Sequence, residues 1–154
     1  MRRGRRPLVF VHLNEVMPDV ERLLAGHVTV GRWTLGQICN HLEMALRLSM
    51  DGVPVKFSWP VRRLFGPLAR RLMFWRGRIP EGVRVPVLYL PRPGLDAARE
   101  ASILRTAIER FEAFTGHCDE HPLLGRLSPE QWRQFHCIHC AHHLSFTLPL
   151  TGWT

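Results

Sequence analysis

The segment FHCIHCAHHLSF, residues Phe135 to Phe146, decides how this chain is read. Between large apolar residues, His136, Cys137, His139, Cys140, His142 and His143 crowd six metal-capable side chains into one short stretch. At about 100° per residue, Trp132, Phe135, His139, His143 and Phe146 share one stripe of a helix, with His136 and His142 at its edges. Cys137, Ala141 and Leu144 fall on the other side. Trp132, Phe135 and Phe146 belong in a core, so the histidines among them look inward. Neutral imidazoles in an apolar interior need hydrogen-bond partners or a metal, because an unpaired buried polar group is costly. A metal site, a thiol site and an inert crowded core are the three possible meanings.

Local punctuation marks where this helix begins. Ser128 is the N-cap, Pro129 takes the first helical position, and Gln131 completes a capping box. Upstream, Asp96 caps AAREASILRTAIERFEAFTG, an amphipathic helix with Ile103, Leu104, Ala107, Ile108, Phe111 and Phe114 inward and Gly116 as its stop. Thr34 and Gln37 open a second capping box, and LGQICNHLEMALRLSM follows as a helix up to Asp51-Gly52. Leu35, Ile38, Leu42, Ala45 and Leu46 face one side of it, Met44 and Leu48 another, as expected of a central helix. LNEVMPDVERLLAG has the apolar spacing of a helix, with Pro18 near its front and Gly26 as a stop.

The remaining elements are weaker. Val61 to Trp75 reads as a basic helix interrupted at Gly66-Pro67, its apolar side (Leu64, Phe65, Leu68, Leu72, Trp75) packed and its arginines in water. RIPEGVRVPVLYLPRPG reads as a long ordered crossover; within it, VRVPVLYL has strand character that Pro86 opposes. The fold class is therefore all-α: a four-helix bundle with a long crossover and an extra short basic helix. Residues 1–7 read as a basic disordered start, 8–148 as a single domain, and 149–154 as a C-terminal tail.

Composition narrows the partners. The formal charge is +8, and Lys56 is the one lysine among 21 basic residues. Nucleic acid or an anionic surface could use the block Val61 to Arg78, but a solvated helix face explains it as well. No apolar run approaches the ~20 residues that span a bilayer, so no membrane partner is expected. The start lacks the form of a secretion signal, and four cysteines make no disulfide framework at this length. A cytoplasmic protein is the expectation.

His139 and His143, four residues apart, project from successive turns of one face, and two Nε2 atoms at that spacing can reach one ion at about 2.0–2.1 Å. A third ligand must come from another helix, and His41 in CNHLEMAL is the best placed. The Cys137–Cys140 CxxC lacks the βαβ context of a redox site and the second close cysteine pair of a zinc knuckle. No nucleophile elbow or Gly-rich phosphate loop is present.

GRWTLGQICNHL, HPLLGRLSPEQW and FHCIHCAHHLSF together resemble the DinB-like superfamily of metal-binding four-helix proteins, in a branch known only as a domain of unknown function. The opening RPLVFVHLNEVMPDVERLLAG is similar to that branch too, so the resemblance spans nearly the whole chain. It implies a divalent ion, zinc or nickel, held by three histidines that fall on His41, His139 and His143. It also implies a metal-dependent enzyme, a transferase or isomerase using a low-molecular-weight thiol, or a hydrolase, acting on an unknown small-molecule substrate. His136 and His142 become candidates for the shell around the ligands, and Glu43 for orienting one. The alternative is a non-catalytic, metal-stabilised basic module that binds nucleic acid or a protein; a homodimer is compatible with either.

Overall fold

In a computed structural model, residues 4–80, 82 and 86–150 are described. The elements in chain order are α1 (Val16–Leu24), β1 (His27–Thr29), α2 (Leu35–Asp51), α3 (Trp59–Arg76), α4 (Ala97–Glu112), α5 (Pro129–Leu144) and β2 (Thr147–Pro149). Single 3-10 turns precede α1 at Leu13–Glu15 and lie in the crossover at Val87–Tyr89. The chain is mostly helical.

Local hydrogen bonds start α2, α4 and α5 where the cap residues stand. Thr34 Oγ1 accepts from Gln37 N at 3.2 Å and Gln37 Oε1 accepts from Thr34 N at 3.0 Å. Ser128 and Gln131 repeat the pair at 3.2 and 3.0 Å, and Asp96 Oδ1 accepts from Arg99 N at 2.7 Å. Each cap satisfies backbone N–H groups that the first helical turn leaves unpaired. α2 and α4 pack most extensively, α5 lies against α2, and α1 touches both α4 and α5. The core they share includes Val16, Val20, Leu23, Leu35, Ile38, Leu42, Leu46, Leu104 and Leu144. Gly36 permits the close crossing, since a Cβ there would stand 2.5 Å from the Leu95 carbonyl oxygen.

Several expectations need correction. The fold is not purely helical: β1 and β2 pair antiparallel, with Val28 opposite Leu148. This ribbon extends into the stretch expected to be tail, where Leu150 N donates to Gly26 O at 2.9 Å; residues 151–154 lie outside the described chain. Ile103, expected inward, is 40 % exposed. Arg6, expected in a solvated start, is buried. Its guanidinium grips both carboxylate oxygens of the buried Asp19, and its backbone N–H donates to Ser145 O at 3.0 Å. The start of the described chain is thus strapped across the end of α5.

α3 departs furthest. It runs unbroken through Pro67, and Gly66 sits so close to the loop before α5 that a Cβ would be 2.7 Å from Leu123 O. The buried side is Gly66 and Met73; Leu64, Phe65, Leu68 and Trp75 are all more than half exposed. The apolar stripe therefore points outward, because backbone proximity at Gly66 orients the helix. In the crossover, the stretch whose strand character Pro86 opposes forms at its described end the Val87–Tyr89 turn, and Val83 to Val85 lie outside the described residues. No helix among the described residues is long and apolar enough to cross a membrane.

Candidate metal centre

The inward stripe of α5 meets α2 at three imidazoles. His41 Nε2 lies 3.2 Å from His139 Nε2, and His143 Nε2 lies 3.1 Å from the same atom. Donor atoms of all three residues fall within 4.8 Å of one another. A tetrahedral ion with bonds of about 2.0–2.1 Å separates neighbouring ligand nitrogens by about 3.3 Å, and an octahedral one by about 2.9 Å. The two separations from His139 lie between those values, so these two pairs stand at the spacing of ligands on one ion. The spacing does not select a particular ion, since a three-histidine set takes several.

Electrostatics agree with the geometry. Burial pushes the pKa of His41 below its ordinary value. His139 and His143 are pushed well below theirs by burial, with the neighbouring imidazoles adding to the effect. All three rings are thus neutral, as ligands must be. His41 Nδ1 stands 2.8 Å from the carbonyl oxygen of Tyr89. A carbonyl only accepts, so Nδ1 carries the proton and Nε2 presents its lone pair towards the cluster. One proton on His139 Nε2 cannot provide two full hydrogen bonds, whereas a cation at the centre would draw on all three lone pairs. His139 Nδ1 is buried with no hydrogen-bond partner among the described residues.

Aromatic rings hold the imidazoles in place. Trp33 stacks on His143 at 5.2 Å and tilts against His41 at 4.9 Å, while Phe135 stacks on His139 at 5.3 Å. Trp33 and Tyr89 were not singled out as site residues from the sequence. Trp33 precedes the Thr34 cap, which turns the chain at that point, and Tyr89 sits in a turn that no periodicity marks.

The outer candidates divide. His136 is fully buried and its Nε2–H donates to Ser49 Oγ at 3.1 Å, because that hydroxyl spends its own proton on Leu46 O at 2.7 Å. Its ring packs on Trp132 and Phe111. His142 lies beside His143, ring centroids 4.8 Å apart, with Nδ1 3.3 Å from Arg5 Nη1. Glu43 pairs with Arg47 at 2.9 Å. The cysteines are all free, and Cys137 and Cys140 are buried. Burial pushes the Cys137 thiol up to about 11 and Cys140 higher still, which disfavours the free thiolate a redox pair requires.

The loop between α4 and α5 closes one side. Asp119 accepts from Val53 N at 2.7 Å and from Lys56 Nζ at 2.8 Å, joining the segment after α2 to the loop. The Lys56 ammonium is the main cause holding that carboxyl down at about 2. Two residues on, His121 caps the turn that ends at Gly125. Met44 and Leu48, the second apolar side of α2, line a cavity of about 150 Å³ that reaches His41, His139 and His121. That explains a helix apolar on two sides.

No curated protein and no solved structure matches the chain. The model of one family, described as a protein of unknown function (DUF1569), matches residues 2–150. With nearly its whole length matched, including all three histidines of the cluster, this chain belongs to the DUF1569 family.

Proposed function

We propose that this chain is a metal-dependent enzyme of the DinB-like type, with His41, His139 and His143 as the ligands of a zinc or nickel ion. The observation that carries the proposal is the meeting of three neutral imidazoles at 3.1 and 3.2 Å, with His41 fixed in the ligand tautomer by Tyr89 O. Three neutral ligands leave an ion its charge and at least one open position, as in catalytic rather than closed structural sites. When bound, such an ion would polarise a carbonyl or lower the pKa of a water or low-molecular-weight thiol.

The chain's own residues prepare the site. Tyr89 O orients His41, Trp33 and Phe135 fix the ring planes, and the apolar cavity beside His139 gives a substrate a dry place to lie. Transfer or isomerisation with a small thiol, or hydrolysis, suits this arrangement. Elemental analysis of purified wild type beside His139→Ala is the test. About one divalent ion per chain in the wild type, lost in the variant, is expected. Absence of metal from both would reduce the histidines to packed core residues and end the enzymatic reading.

A non-catalytic alternative draws on the outward stripe of α3, where exposed Leu64, Leu68 and Trp75 stand among arginines that include Arg63 and Arg71. Salt-dependent affinity for random duplex DNA would favour that alternative, and no affinity at low salt would remove its nucleic-acid form.

A further inference from the structure

The cavity beside the histidine cluster has its own polar end. His121 Nδ1 accepts from the backbone N–H groups of Leu123 and Leu124, both at 3.1 Å. A ring nitrogen that accepts carries no proton, so the neutral ring of His121 holds its hydrogen on Nε2. Burial keeps the ring neutral, its pKa pushed down to about 3. Among the described residues nothing receives that Nε2–H. Trp132 lines the same cavity with its ring 5.8 Å from that of His121. A donor that lacks an acceptor at a cavity is matched by an oxygen brought by a ligand.

The rest of the lining sets the ligand's body and charge. Leu48, Val53, Phe57 and Phe135 make the walls apolar, and about 150 Å³ is the size of cavity that takes a benzene ring. No lysine or arginine is among the described lining residues, so in the metal-free protein a carboxylate would enter as an unpaired charge. A neutral carbonyl has the acceptor without that cost.

We propose that this cavity binds a neutral carbonyl compound (ketone, amide or ester) with an apolar body of about six carbons, its oxygen accepting from His121 Nε2–H. The inference deepens the proposed function and rests on it only in making this ligand the substrate, since His41 and His139 line the same cavity. His121 is then a positioning residue that fixes which end of the ligand faces the α4–α5 loop.

Acetophenone and its hydrocarbon isostere α-methylstyrene are the probes, titrated into metal-free protein and followed by NMR. His121→Asn places an amide oxygen where Nδ1 accepts from the loop and removes the donor at Nε2. Acetophenone is expected to bind about 2- to 10-fold more weakly to the variant, the worth of one net hydrogen bond, with α-methylstyrene unchanged. In wild type, acetophenone should also move the His121 Nε2–H resonance, a readout that does not require the variant to fold. Equal weakening of both probes, an unmoved resonance, or no binding of either probe would overturn the inference. Metal content measured on the same preparations separates the two proposals. Metal retained without acetophenone binding refutes the cavity alone, and acetophenone bound by a wild type that takes no metal refutes the metal site alone.

Discussion

Acid should destabilise this protein through its buried neutral histidines, and His136 isolates the effect. Its ring is 1 % exposed, stacked on Trp132 at 5.3 Å and set edge-on to Phe111 at 4.7 Å. Burial, aided by His121, pushes its pKa down to about 3, whereas an unfolded histidine titrates near 6.5. Above about pH 6.5 both states are neutral and the group adds no pH dependence. Below that, the unfolded chain binds a proton that the native state refuses, so stability falls by about 1.4 kcal/mol per pH unit until the folded pKa is reached. By about pH 5 the loss from this one group is about 2 kcal/mol. His136→Phe keeps an aromatic ring in the slot and removes the titration. Ser49 Oγ still donates to Leu46 O at 2.7 Å, so the variant strands no buried donor. Urea unfolding of metal-free protein, followed by tryptophan fluorescence at about pH 7.5 and pH 5, gives the stability drop for each form. The wild type is expected to lose about 2 kcal/mol more than the variant across that interval. A difference below about 0.5 kcal/mol would refute the account of His136 as a buried, uncharged group.

Three further outcomes are expected. Asp19→Asn leaves the buried Arg6 guanidinium without its counter-charge; a loss of about 3–5 kcal/mol should lower the melting temperature by ~6–20 °C, and a shift of a degree or two in calorimetry would show the strap to be dispensable. Gly36→Ala forces a methyl to 2.5 Å from Leu95 O, and the overpacking should cost about 1–3 kcal/mol in denaturant melts, an unchanged midpoint being the contrary result. Tyr89→Phe removes the hydroxyl bond to Val55 O but leaves the backbone carbonyl that orients His41. It should cost about 0.5–1.5 kcal/mol of stability while metal content per chain stays at the wild-type level, and loss of metal would show that the phenol acts on the site itself.

The site was legible in proportion to how local its signals are. His139 and His143 stand one helical turn apart, so their convergence follows from helix geometry alone. His41 was reached by requiring a third ligand from a second helix, and the packing of α2 against α5 brings its Nε2 to 3.2 Å from that of His139. What orients these rings was not legible. Tyr89 O lies 48 residues from His41 in the chain and Ser49 Oγ lies 87 from His136, distances over which no spacing rule operates. His121 stood in the quoted HPLLG loop, yet nothing in the motif tells that Nδ1 is used by the turn while Nε2 is left to the cavity.

By itself the sequence determined the helix starts, because Thr34–Gln37, Asp96–Arg99 and Ser128–Gln131 close hydrogen bonds over three residues wherever the rest of the chain lies. It also determined that the histidine stripe of α5 turns inward, since Trp132 and Phe135 share that face and are driven from water with it. Only the tertiary structure decided which way α3 faces, which carboxylate receives Arg6, and that the segments following α1 and α5 are joined by the β1–β2 ribbon. Those features depend on partners far away in the chain. An apolar stripe states that a helix has two sides, and the approach of Gly66 to Leu123 settles which of them is buried.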